Sequence, residues 1–175
     1  MIMIRDSIRI ELMGATLQPE TPYRVQSAWW HMLAGYGMDL DGMTTFASAC
    51  DDMVVQKNIP IYSVCEHHLL PMFGVAHIGY IPNGQIIGLS KLKRIADVYA
   101  RRLQVQERLT GQVGDALQSI LEPRGVAVVT KMRHLCMEMR GIETAGTETI
   151  AHCLHGAMRD GDARSEFLSL VNGSL

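Results

Sequence analysis

Apolar residues at Val25, Trp29, Met32 and Leu33 recur at three- and four-residue intervals, the spacing of one helix face. Glu20-Thr21-Pro22 predicts the start of that helix, with Thr21 as N-cap and Pro22 at the first helical position. Gly35 and Gly37 predict its end. Upstream, Ile8, Ile10 and Leu12 alternate, a pattern that suits either a strand or one short helix. Residues 39–52 read as loop with a short strand near 44–47. Residues 53–64 are rich in β-branched side chains and predict a strand, interrupted near Asn58-Ile59-Pro60. Residues 75–81 alternate as a second strand. Pro82-Asn83-Gly84 is a turn signal, and 85–89 is expected to return beside it as the antiparallel start of the sheet.

Ser90 is placed as the N-cap of a helical region over 91–121. One stripe runs through Ile95, Tyr99 and Leu103, and another through Leu109, Val113, Leu117 and Leu121. The register slips at Gln104-Val105-Gln106-Glu107, which predicts a break and two helices. Pro123 and Gly125 close the region. Residues 126–132 predict a strand running on into His134 and Cys136, with alternation placing both on one face. A last strand is expected at 147–154, a helix at 162–171, and fraying at 172–175. The order of elements implies an α+β fold, an antiparallel sheet with helices packed on one face. With no repeat, linker or low-complexity segment, 1–175 reads as a single domain whose first 20 residues are a short N-terminal extension.

Composition narrows the possible functions. The formal net charge is -2, so no basic field argues for nucleic acid, and no apolar run is long enough to cross a membrane. The first residues lack the layout of a secretory signal. Cys65 and Cys136 sit in clusters with histidines, which favours metal binding over disulfides and a reducing, cytoplasmic compartment. Cys50 and Cys153 read as small buried residues.

The chemistry concentrates in Cys65-Glu66-His67-His68. Cys65 and His68 have the C-x-x-H spacing of two ligands gripping one metal from a tight turn. If His134-Leu135-Cys136 folds back onto them, Cys65, His68 and Cys136 form a sulfur, nitrogen, sulfur set that suits zinc and leaves a fourth position for water. Spacing alone leaves open a closed structural site with His134 as fourth ligand, or buried residues binding no metal. Ser90, Lys91 and Arg94 put a hydroxyl and two cations at a helix N-terminus, where a phosphate or plain solvent fits. Arg140 follows the second cluster. Gln106 and Glu107 bring an amide and an acid to the helix break, suited to the edge of a planar base or to an exposed helical face. Arg24 in the first turn of the first helix meets an anion or water.

These pieces also stand in a recognisable order. Thr21-Pro22-x-Arg24-Val25, Cys65-Glu66-His67-His68, Tyr80-Ile81-Pro82, Ile87-Gly88-Leu89-Ser90-Lys91, Gln104-Val105-Gln106-Glu107-Arg108-Leu109, His134-x-Cys136 and Arg140-Gly141 together resemble the GTP cyclohydrolase I family. The resemblance implies a tunnelling fold assembled into a toroidal homo-oligomer, a decamer, with sites shared between subunits. It implies zinc (Zn2+) on Cys65, His68 and Cys136, and conversion of GTP and water to 7,8-dihydroneopterin triphosphate and formate. It gives Gln106 and Glu107 the guanine, and Ser90, Lys91, Arg94 and Arg140 the triphosphate, with Arg24 arriving from a neighbouring subunit. His67 and His134 become the proton-transfer pair. Two other readings are a nitrile reductase of queuosine synthesis and a catalytically inactive ring-forming binding subunit. The complete Cys65, His68, Cys136 set argues against the first, and His67, His134 and Glu107 argue against the second. The chain departs from the family pattern at Ser27, where a lysine is common, and in the short N-terminus. It also departs after Arg140, where His152 and His155 are extra and are given a structural reading.

Overall fold

The computed structural model describes residues 18–173; Ile8, Ile10, Leu12 and the rest of 1–17, with Ser174 and Leu175, lie outside the described residues. Helix α1 (Thr21–Met32) starts one residue earlier than expected: Glu20 is the N-cap, and Thr21 and Pro22 both sit in the first turn, where a missing N–H costs nothing. No α1 residue is fully buried, and Trp30 is 66% exposed. The 3₁₀ turn Ala34–Gly37 follows. Gly35 is there for close approach: its N–H donates to the Arg101 carbonyl at 2.9 Å, and a Cβ would lie 2.5 Å from the Val98 oxygen.

Strand β1 (Thr45–Ala47) appears where the sequence placed it. Strands β2 (Val54–Cys65) and β3 (Pro71–Ile81) then form a long antiparallel pair. The interruption expected near Asn58 is a bulge inside one continuous strand: Asn58 has φ +59°, and the register shifts between Gln56 and Ile59. The extra residue changes which face each side chain meets. Val54 packs into the main core before the bulge, whereas Ile59, Ile61 and Cys65 do so after it. Cys65 therefore points inward because of Asn58.

The return strand is a correction. Strand β4 (Gln85–Ile87) does not pair with β3; it joins β1 in a separate two-stranded sheet. Both edges of β3 are already taken, one by β2 and the other by β6 (Gly125–His134) over Met72–Ile81. The turn at 82–84 faces the later chain instead, with Asn83 Nδ2 donating to the Glu122 carbonyl at 3.2 Å.

Helix α2 (Leu89–Ala100) has Gly88, not Ser90, as its N-cap. The expected helix break is real and structured: β5 (Leu103–Gln104) pairs parallel with the end of β2, Val64 with Leu103 and Cys65 with Gln104, before α3 (Gln106–Leu121) begins. Strand β6 stops at His134, and Leu135–Glu138 is a short helical turn, α4. Cys136 is thus not on a strand, so the expected shared face with His134 does not hold. β7 (Thr149–Gly156) pairs with β6 and starts two residues later than expected; α5 (Gly161–Asn172) closes on Gly173 at φ +78°.

The main sheet has the order β5-β2-β3-β6-β7. On β6, Val126, Val128 and Met132 face α2 and α3 and form the main core with Ile61, Ile78, Leu92, Ile95, Leu109 and Leu117. Ala127 faces the other way, where Phe167 of α5 and Met158 cover one corner. The α+β layout with α2 and α3 on one face is as expected. Cys50 corrects a burial expectation: it is exposed.

His77 is 8% exposed, and its Nδ1 accepts the Asn58 N–H at 3.4 Å, beside the bulge. Burial, then the charges of Lys57 and Lys131, hold its pKa below the ordinary histidine value. With the folded pKa below the unfolded one, the native state binds fewer protons. Stability therefore falls as pH drops through the unfolded value of about 6.5 toward the folded pKa. His77→Gln should flatten the loss of stability between about pH 7.5 and about pH 5.5, read from denaturant midpoints. An unchanged slope would remove His77 from the acid response.

Candidate active site

The end of β2 turns sharply through Glu66 to Leu69. Leu69 adopts φ +54°, its N–H donates to the Cys65 carbonyl at 2.8 Å, and the Cys65 N–H donates to the Leu70 carbonyl at 2.9 Å. This turn brings His68 Nδ1 to 3.6 Å from Cys65 Sγ, and the helical turn α4 brings Cys136 Sγ to 3.9 Å from Cys65 Sγ. All three donor atoms lie within 4.8 Å of one another. Cys65 is buried, Cys136 half-buried and His68 exposed, so the set opens toward solvent on the histidine side. Burial, then the neighbouring Cys65, pushes the Cys136 thiol above its ordinary pKa; taking up a cation here would displace protons. Two sulfurs and an imidazole nitrogen are a donor set that zinc fits.

His134 stands apart from this set. Its Nε2 lies 2.8 Å from Gln106 Oε1. Gln106 is 1% exposed, and its Nε2 is 3.0 Å from the Thr149 carbonyl, 3.2 Å from the Thr130 carbonyl and 3.0 Å from Thr130 Oγ1. Carbonyls only accept, so the amide nitrogen must face them and the amide oxygen must face His134. His134 then donates from Nε2, and in the neutral ring Nδ1 keeps the lone pair. The network closes on itself: Thr110 Oγ1 donates to the Gln106 carbonyl at 2.7 Å and accepts from Thr130 Oγ1 at 2.7 Å. Burial lowers the His134 pKa, against Glu107 and Glu138, which raise it. The neutral tautomer is thus favoured near neutral pH.

A second bracket holds the Glu66–Leu69 turn to the start of α3. Arg108 pairs with Glu66 and reaches Gln104 Oε1 from its Nε at 3.0 Å, while the Glu66 N–H donates to the Gln104 carbonyl at 3.0 Å. The Arg108 guanidinium holds the Glu66 carboxyl below its ordinary pKa. Sequence reasoning gave these residues no role, although Glu66 and Arg108 both lie inside quoted motifs. Thr110 and Thr130 carried no signal at all.

The remaining predicted residues are spread along the chain. His67 is exposed on the Glu66–Leu69 turn, its Nε2 3.9 Å from Glu66 Oε1. Glu107 is exposed in the first turn of α3, with its charge felt at His134. Ser90, Lys91 and Arg94 line the first turns of α2, and Arg94 Nη2 bonds Asp39 Oδ1 at 3.2 Å. Arg140 is exposed just after α4, and its charge bears on Cys136. Arg24 pairs with Glu20 at 2.6 Å on α1. Ser27 is exposed on the same helix.

Comparison with known proteins sets this geometry in a family context. The sequence profile of the GTP cyclohydrolase I family matches residues 8–172. A GTP cyclohydrolase 1 of Deinococcus radiodurans is 49% identical over 159 residues, covering 89% of this chain and 74% of the relative. A GTP cyclohydrolase 1 of Streptomyces avermitilis is 52% identical over 156 residues, covering 87% and 78%. Among solved structures, the archaeosine synthase QueF-Like in its apo form aligns with TM-score 0.50 and 20% identity, over 62% of this chain and 97% of that one. At that identity the likeness concerns the fold alone, and it agrees with a tunnelling fold.

Gln106→Leu keeps the bulk and removes the amide, leaving His134 and the carbonyls of Thr130 and Thr149 without it. We expect a loss of about 1–3 kcal/mol in unfolding free energy, measured by denaturant titration. A stability equal to wild type would mean that the buried network is not made.

Proposed function

The chain belongs to the GTP cyclohydrolase I family, and from that premise we propose that it converts GTP and water to 7,8-dihydroneopterin triphosphate and formate. The observation that carries the reading is the convergence of Cys65, His68 and Cys136 beside a tautomer-fixed His134. We place zinc on those three donors. Bound there, zinc supplies Lewis acidity and brings the pKa of a water molecule down to about 7.

The other residues bind, orient and move protons. The Glu107 carboxylate is exposed at the mouth of α3 and accepts from the paired N–H edge of guanine. The Gln106 side chain is wholly engaged inside the chain, so its service to the guanine is indirect, through the position of α3 and of His134. Ser90, Lys91, Arg94 and Arg140 hold the triphosphate, helped by the free N–H groups at the start of α2. His67, free on the metal turn, delivers a proton to guanine N7, which makes C8 open to attack by water. One water opens the imidazole ring to a formamide, a second releases formate, and closure of the pterin ring returns one, so the net reaction consumes one water. His134 Nδ1 carries the lone pair that takes and returns protons during ribose opening and rearrangement.

Assembly follows the same reading. Helix α1 buries no residue of its own, and Tyr23, Trp30, Leu89, Met139 and Ile150 are large apolar side chains left exposed. These surfaces support a homo-oligomer, proposed as a decamer, in which Arg24 reaches the triphosphate of a neighbouring copy. No described helix is long and apolar enough to cross a membrane, and the four cysteines are free, which fits a cytoplasmic protein of one GTP cyclohydrolase I-like domain.

The test is formate released per GTP, with zinc content measured on the same preparations. Cys136→Ser should lose the zinc held by this set and turnover together; stoichiometric zinc at this set with full turnover would overturn the ligand assignment. Lys91→Ala and Arg140→Ala should each weaken GTP binding roughly tenfold to a hundredfold. The two histidines should separate by product. With zinc retained, His67→Ala should form little ring-opened formamide, whereas His134→Ala should accumulate it and make little neopterin. The opposite pattern would exchange their roles.

A further inference from the structure

A second set of metal-type donors lies where α3 crosses β7. Asp115 projects from α3, while Cys153 and His155 are two residues apart on β7 and share the face turned toward that helix. His155 Nε2 is 3.0 Å from Asp115 Oδ1 and 3.3 Å from Cys153 Sγ. All three donor atoms fall within 4.8 Å of one another, the same closeness as in the Cys65, His68, Cys136 set.

The arrangement excludes the obvious rival. A thiol–imidazole–carboxylate relay needs the thiol on one ring nitrogen and the carboxylate on the other, so that the proton taken from sulfur is balanced across the ring. Here both partners meet the same nitrogen, which is how donors gather around a cation. The helix also leaves room for them. Residue 114 is glycine, and a Cβ there would lie 2.8 Å from Cys153 Sγ and 3.4 Å from His155 Nε2. Cys153 and His155 are half-buried, while Asp115 is exposed and gives an ion access. His152 is exposed and lies on the opposite face of β7.

We propose that Asp115, Cys153 and His155 bind a divalent ion of the zinc class, separate from the Cys65, His68, Cys136 set, and that this ion fastens strand β7 to α3. Thiolate, imidazole and carboxylate are all zinc donors, whereas magnesium and calcium take oxygen. Binding replaces the thiol proton. Zinc uptake at this site therefore releases a proton and weakens as pH falls.

The test uses the full-length protein, stripped of metal and dialysed against Zn2+, with zinc per chain measured by mass spectrometry. Wild type should take up two zinc ions. The double variant Cys65→Ser/Cys136→Ser should keep one, and with Co2+ in place of Zn2+ should show a cobalt–thiolate absorption band that vanishes when Cys153→Ser is added. Asp115→Asn alters an exposed side chain and should fold. It should weaken the second zinc roughly tenfold or more while leaving the melting temperature of the metal-free protein unchanged. One zinc per chain in wild type overturns the site, as does zinc affinity unaltered by Asp115→Asn. A natively folded double variant with neither zinc nor a cobalt–thiolate band overturns it equally.

Discussion

The site rests on a two-residue parallel pairing between β2 and β5. Val64 with Leu103, and Cys65 with Gln104, join the end of a long antiparallel strand to the gap between two helices. Parallel pairs cannot be closed by a tight turn and need a longer connection, here made of β3, β4 and α2. Because the pairing ends at Gln104, α3 must begin immediately afterwards, and Gln106 falls in its first turn under β6. Cys65 is thus fixed against the start of α3 by main-chain pairing, and the buried Gln106 side chain carries that frame on to His134. The Asn58 bulge upstream completes the constraint: without the extra residue the parity of β2 would reverse, and Cys65 would face away from α3.

The buried polar network around Gln106 has a different physical character. A buried amide stabilises little when satisfied, but costs much when any partner is missing. The hydrogen bonds along the Gln106, Thr110, Thr130 and His134 chain run in one consistent direction. That consistency does something apolar packing cannot: it selects one tautomer of one imidazole. The catalytic property proposed for His134 therefore begins beyond the Gln106 side chain, at carbonyls that accept and cannot donate.

How much of this was legible in the sequence depended on the range of the interaction. The C-x-x-H turn was legible because its two donor side chains are neighbours, and spacing alone encodes their approach. Cys136 was grouped with them on the condition that its segment folds back, and the structure brings its sulfur there, though not by the strand alternation expected for His134 and Cys136: the chain leaves β6 at His134 and reaches Cys65 from a helical turn. The 85–89 strand was misplaced because a turn signal reports only local geometry, whereas the occupancy of the β3 edge is decided by residues 125–134 far downstream. The Asn58 bulge was visible as a break in the β-branched run, but its consequence for facing was not. Gln106 looked like a free first-turn amide, since nothing in its neighbourhood announces that Thr130 and Thr149 lie above it.

Cys153 and His155 show the same limit from the other side. In the sequence they are a thiol and an imidazole on a strand, and a structural reading is reasonable because nothing adjacent completes a ligand set. Asp115, 38 positions earlier than Cys153 on another element, supplies the third donor only after α3 has packed across β7. The first donor set is built by a turn and the second by a helix crossing a strand, which implies different dependence on the fold. Two donors of the first set are held by local hydrogen bonds around Leu69 and should approach one another even when distant packing loosens. The second set exists only while α3 stays seated on β7. A cation there would therefore report on, and reinforce, the contact that also carries the Thr149 carbonyl to Gln106. The outer strand and the tautomer of His134 are in this way mechanically joined.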